Sequence, residues 1–285
     1  MQNEDIDNLE YNFPPPEPAE NKIETAPTTP DNPPWNSWMA LAVWLLSVLA
    51  IVIFPVLFLV PYVMKNGRES LHGIDQDPTA ILLNLLAVIP AHLFTLAVAW
   101  SAVTRNNRYS LGETLGFRSG GFKWWYYPLI LIGFFVLAGV VGHYVPDGDN
   151  DLLKMLRSSR AAVFIVVVLA TFTAPVVEEV VYRGLLYSAF QRSFGKELAI
   201  LTTTLLFALV HVPQYWGSPA TILLICVLSL VLTMIRAQTG SLLPCIIMHT
   251  IFNGIQSLVL LINPDTTQVD TGLQEKVSAI LRLFT

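Results

Sequence analysis

Glu178 and Glu179 stand side by side at the end of a run, residues 161–177, that carries no charge and is otherwise apolar enough to enter a bilayer. An ionised carboxylate in hydrocarbon costs about 2.5 to 3.5 kcal/mol even on lenient scales, so such groups usually face a cavity and do chemistry or transport. Two more polar signals follow on apolar segments. Glu178-Glu179-Val180-Val181-Tyr182-Arg183 is succeeded by Phe207-Ala208-Leu209-Val210-His211, and then by His249-Thr250-Ile251-Phe252-Asn253. Each alone is weak. Together they place four side chains of catalytic type (Glu178, His211, His249, Asn253) and a balancing Arg183 in a stretch that holds few other ionisable groups. A carboxylate beside imidazoles can take a proton from water and return it to a leaving group. The same atoms offer a second chemistry, since Glu178, His211 and His249 would make a three-ligand zinc site with an open fourth position.

Spacing says which groups share a face. Glu179 and Arg183 are four residues apart on one predicted helix, and His249 and Asn253 have the same relation on another. The first pair also reads as an ion pair that orients its helix, a role compatible with catalysis. Glu178 has no cation at its own helical spacing. His92 sits in an apolar segment with no acidic or polar companion at that spacing and reads as structural, as do His72 and His143 at segment ends. Pro175, Pro213 and Pro244 flank the motif helices, where they can kink the backbone and make room for water.

The elements that position these residues are membrane spans. The chain has 285 residues, 53% of them hydrophobic and only 13% charged, with a mean hydropathy of +0.55. That composition lies outside the soluble range and gives no footing for a nucleic-acid partner. Charge-poor segments at 38–64, 79–104, 124–144, 161–190, 198–212, 219–235 and 241–262 predict an all-α polytopic bundle of about seven transmembrane helices, the fifth being the shortest. Tryptophans and tyrosines near the segment ends suit an aromatic belt. The first run is too long for a signal-peptide core and lacks a basic leader, so it reads as a permanent span.

Under this model the motif residues reach similar depth. At about 1.5 Å per residue, Glu178 lies roughly 18 Å from the face where its helix exits, His211 roughly 20 Å and Asn253 roughly 18 Å from that same face.

The chain divides into a disordered acidic, proline-rich tail (1–37), amino-terminal transmembrane helices (38–158), a catalytic transmembrane core (159–264) and a carboxyl-terminal surface segment (265–285). The tail holds eight acids against Lys22 alone, so it carries a net charge of minus seven and leaves plus two for the membrane body. Within the last segment, 273–284 predicts a short surface helix. Arg105, Arg108, Arg118 and Lys123 in one loop favour a cytoplasmic amino terminus. Cys226 and Cys245 fall inside predicted spans and behave there as small apolar residues.

The order Glu-Glu-x-x-x-Arg, Phe-x-x-x-His, His-x-x-x-Asn on successive apolar helices resembles the CPBP family of intramembrane proteases, which includes CAAX prenyl endopeptidases and bacteriocin-immunity proteins. The resemblance covers about residues 160–262, and every motif position is filled. It implies that Glu178 is the general base on a water held jointly with His211, that His249 and Asn253 stabilise the oxyanion, and that Glu179 and Arg183 support the site. No cofactor is required in that reading, zinc being the alternative. The implied activity is an intramembrane endopeptidase of a cell membrane, acting on a peptide or lipidated protein, with CAAX-type prenylated substrates among those implied. Two other functions use the same features. A proton-coupled transporter would titrate Glu178 and Glu179, although no internal repeat is present. A non-proteolytic scaffold or immunity protein would leave the four motif residues without work.

Overall fold

Every regular element among the described residues (28–75, 77–145, 148 and 160–262) of the computed structural model is a helix. In chain order these are α1 (Ser37–Asn66), α2 (Pro78–Thr104), α3 (Leu111–Leu115), α4 (Tyr126–Tyr144), α5 (Arg160–Phe194), α6 (Lys196–His211), α7 (Pro219–Thr239) and α8 (Leu243–Ile262). Short polar residues set several boundaries. Asn36 Oδ1 accepts the Met39 N–H at 2.9 Å and caps α1. Asp77 Oδ1 accepts from Thr79 and Ala80 at 2.8 and 3.0 Å, just before the proline that opens α2. Gly195, at φ 87°, breaks the chain between α5 and α6, and Gly240, at φ 61°, ends α7.

Among the described residues, six helices (α1, α2, α4, α5, α7, α8) are long and apolar enough to cross a membrane. The segment expected as the fifth of seven spans is α6, a helix of 16 residues. At about 1.5 Å per residue it covers roughly 24 Å, less than a hydrocarbon core of about 30 Å. Pro213 stops it, because it has no N–H with which to bond Leu209 O, and that carbonyl takes the Val212 N–H instead at 3.3 Å. His211 is therefore the last residue of α6.

The helices alternate in direction, and contacts define their two ends. Ser37 at the start of α1 meets Ser193 at the end of α5 (Oγ–Oγ 2.8 Å), and the Leu242 N–H before α8 donates to Gly116 O at 3.0 Å. A side chain at Gly116 would have no room there, since its Cβ would lie 2.8 Å from the Gly240 carbonyl. These residues form the amino-terminal face, and the Gly148 N–H to Gly217 O bond (3.2 Å) marks the opposite one.

Of the stretch expected as a disordered tail (1–37), the structure describes residues from 28 on. Residues 28–36 dock on the amino-terminal face, where Trp35 is buried and its Nε1 donates to Leu185 O at 3.1 Å. Three arginines from three helices hold the carbonyls of this proline-rich strap. Arg236 donates to Pro30 O at 2.9 Å, Arg192 to Pro33 O at 2.6 Å, and Arg105 to Pro34 O. Proline lacks an N–H but keeps a strong acceptor, so backbone carbonyls do the docking. The expected surface helix at 273–284 and the division of the membrane body at 158–159 lie outside the described residues.

Around α5 one core cluster packs Leu185, Leu186 and Tyr187 against Trp35, Val103, Leu115 and Phe207. A second joins Phe134 of α4 to α7 and α8 through Leu228, Leu232, Met248 and Phe252. Together they fix α5, α6, α7 and α8 around the motif residues.

Candidate active site

Two π-helical segments of α5, Leu169–Thr173 and Val180–Leu186, bracket the glutamate pair. Pro175 accounts for the first. Having no N–H, it cannot bond the carbonyl four residues back, and the Ala174 N–H reaches Leu169 O, five back, instead. In the second, the Tyr187 N–H reaches Tyr182 O in the same way. Both glutamates lie in the α-helical stretch between these segments, where successive side chains point about 100° apart and so meet different surroundings.

Glu179 points into the protein and is fully buried. Its Oε1 accepts from Arg183 Nη1 at 2.8 Å and from His249 Nδ1 at 2.8 Å. Arg183, also fully buried, donates through Nη2 to Ser229 O (3.0 Å) and Oγ (2.8 Å) and through Nε to Thr233 Oγ1 (3.2 Å). Its guanidinium lies 4.7 Å from the centre of the Phe207 ring. One ion pair therefore ties α5 to α6, α7 and α8, and uses most of the guanidinium donors. Glu179 Oε2 is buried with no hydrogen-bond partner among the described residues, so two donors on Oε1 hold the charge.

Glu178 points the other way, with its side chain 25% exposed to a cavity of about 360 Å³. His211, His249 and Asn253 line the same cavity, so α5, α6 and α8 bring all four motif residues together. Glu178 Oε2 lies 3.8 Å from His249 Nε2, a cation site that helical spacing within α5 does not reveal. Much of the wall comes from residues at or beyond the level of Glu178 on the side away from the amino-terminal face, such as Leu85, Val166, Thr221 and Leu260. Gln214, exposed in the α6–α7 connection, also borders it.

Hydrogen bonds set the orientation of the rings. His211 Nδ1 is 2.7 Å from Phe207 O, and because a carbonyl only accepts, Nδ1 carries the proton there. In the neutral ring Nε2 is then a free acceptor. His249 likewise donates from Nδ1 to Glu179, so its Nε2 can donate only when the ring holds both protons. Asn253 donates one Nδ2 proton to Ala170 O at 2.8 Å, in the first π-helical segment, and one turn on Ser257 bonds Thr171 (Oγ–Oγ 2.9 Å). The second Nδ2 proton of Asn253 is not used by that bond.

Among the described residues no three His, Cys, Asp or Glu side chains are grouped to hold a metal ion, and Glu178, His211 and His249 do not form such a group. Cys226 and Cys245 are free thiols.

Several site residues escape a sequence reading. Ser229 and Thr233, four apart on α7, hold Arg183, and Ser257 continues the His249–Asn253 face. Their i, i+4 spacing is the available signal. His92, expected to be structural, lines the cavity and bonds Thr173 at 2.9 Å. Its partner is on another helix, beyond the reach of spacing.

Residues 160–255 match the model of a family described as type II CAAX prenyl endopeptidase Rce1-like. That stretch contains Glu178, Glu179, Arg183, His211, His249 and Asn253, and supports the assignment to the CPBP and CAAX protease family made from the motifs. No curated protein and no solved structure matches the chain. With its six membrane-crossing helices, the chain is a multi-pass integral membrane protein.

Proposed function

We propose that this chain, with its CAAX-endopeptidase-type segment, is an intramembrane endopeptidase that hydrolyses a peptide bond of a membrane-associated substrate with water activated by Glu178. One observation carries the reading. Of two adjacent carboxylates, Glu179 is consumed by a buried ion pair, while Glu178 faces a cavity lined also by His211, His249 and Asn253, with His249 Nε2 3.8 Å away.

In the proposed reaction Glu178 takes a proton from a water whose other proton is accepted by His211 Nε2. The water oxygen attacks the scissile carbonyl carbon. The resulting oxyanion receives Nε2–H of doubly protonated His249 and the second Nδ2–H of Asn253. Collapse breaks the C–N bond as Glu178 hands its proton to the leaving amine. Glu179 acts through His249, stabilising the imidazolium, and Arg183 balances the charge on Glu179. The cavity wall supports entry from the face opposite the amino terminus. A prenylated CAAX-type protein is the substrate class that the family match favours.

Asn253→Ala tests the oxyanion role. It is expected to lower kcat by about 10² to 10³, the range for removing one such donor. Loss of the bond to Ala170 should cost only about 0.6 kcal/mol of stability, typical of an interhelical hydrogen bond in a membrane. An unchanged kcat would remove Asn253 from the site. In the same assay, pre-incubation with a tight zinc chelator is expected to leave the rate unchanged. Activity that vanishes with chelator and returns with zinc would support the ligand set that the geometry does not form.

A further inference from the structure

His92 comes from α2, outside the segment that matches the family, yet it stands in the wall of the same cavity as Glu178. It is 8% exposed and lies in an apolar helix, where a polar ring needs partners. One partner is Thr173, whose Oγ1 is 2.9 Å from His92 Nδ1. Thr173 has a single hydroxyl proton, and it donates that proton to Leu169 O at 3.0 Å. His92 Nδ1 must therefore be the donor, which leaves Nε2 of the neutral ring with its lone pair and with no partner among the described residues.

The same π-helical segment that fixes His92 through Thr173 holds Asn253 through Ala170, so one turn of α5 sets both walls in register. His92 also lies within electrostatic range of Glu178. An extended peptide in this cavity brings backbone N–H groups as well as the carbonyl to be attacked. In a site walled mainly by apolar side chains each of those groups needs an acceptor. The proposed oxyanion groups, His249 and Asn253, supply donors. His92 Nε2 supplies an acceptor on the α2 wall.

We propose that His92 is a substrate-binding residue, accepting through Nε2 a backbone N–H of the peptide held in the cavity. The proposal rests on the endopeptidase reading of the cavity.

Two side chains separate the two ends of the ring. The amide of an asparagine reaches the Nδ1 position and can keep the bond to Thr173, whereas the amide of a glutamine reaches the Nε2 position and can present its oxygen there. With full-length protein in bilayers and a membrane-anchored peptide, His92→Ala and His92→Asn are expected to raise KM about tenfold or more, with kcat within about threefold of wild type. His92→Gln should keep KM within about threefold. The dissociation constant of the same peptide, measured on Glu178→Gln protein to block turnover, should move in parallel.

If His92→Asn matches wild type while His92→Gln does not, the ring is only a tether between α2 and α5, and the proposal is overturned. Unchanged KM in all three variants overturns it equally. In both cases wild-type cleavage shows that the endopeptidase reading survives. If wild type cleaves nothing and the Glu178→Gln protein binds no peptide, that reading fails and the role of His92 falls with it.

Discussion

Glu178→Gln is expected to lower peptide turnover by about 10³-fold or more while leaving the fold intact. The amide has nearly the shape of the carboxyl but cannot take a proton from water, so the whole general-base contribution, commonly about 10² to 10⁴, is lost at once. Stability should change little, because the buried basic group nearest this carboxylate, His249 Nε2, is 3.8 Å away, beyond hydrogen-bond distance. Arg183 is satisfied by Glu179, Ser229 and Thr233, and His249 keeps its Nδ1 bond to Glu179. Detergent melting curves and expression should match wild type. A variant that keeps most of the wild-type rate would show that Glu178 is not the base.

Glu179→Gln, one residue along, should behave differently. Glu179 and Arg183 are both fully buried and 2.8 Å apart, and the same oxygen receives His249. Removing one charge from a buried pair leaves the other uncompensated, which costs about 3 to 5 kcal/mol. Activity should fall as well, since His249 loses the carboxylate that holds its Nδ1 and orients the ring. Converting both partners separates the two losses. Glu179→Gln with Arg183→Met removes the stranded charge and is expected to recover much of the stability without recovering the rate. Equal thermal stability of Glu179→Gln and wild type would mean that the pair does not hold α5 against its neighbours.

The contrast between two adjacent glutamates shows where sequence reasoning reaches and where it stops. The pairing of Glu179 with Arg183 follows from i, i+4 spacing, and the spans follow from runs of apolar residues too long for anything else. What separates Glu178 from Glu179 is the set of neighbours that faces each one, and spacing also hides the two π-helical segments on either side. Their only trace in the sequence is Pro175, whose missing N–H is as consistent with a kink as with a change of register. The partners of Arg183 on α7 and of His92 on α5 belong to other helices, and periodicity along one helix carries no information about them.

The strap at residues 28–36 was hidden for another reason. It continues the proline-rich, acidic composition of the residues before it, yet its backbone carbonyls meet Arg105, Arg192 and Arg236. Backbone acceptors leave no mark on composition. The bounds of α6 were legible to within two residues, since the apolar run 198–212 lies against Lys196–His211, with Gly195 and Pro213 as breakers on either side.

The central claim is that Glu178 directs water onto a peptide bond inside the membrane, and its most direct test follows the oxygen. Purified protein in bilayers is mixed with a membrane-anchored peptide in water enriched in oxygen-18, and the new carboxyl terminus is read by mass spectrometry after a single turnover. The account predicts one heavy oxygen atom in that carboxyl group with wild type, and no cleaved product over the same period with Glu178→Gln. Cleavage by Glu178→Gln at the wild-type rate, or a wild-type product without the heavy atom, would contradict it.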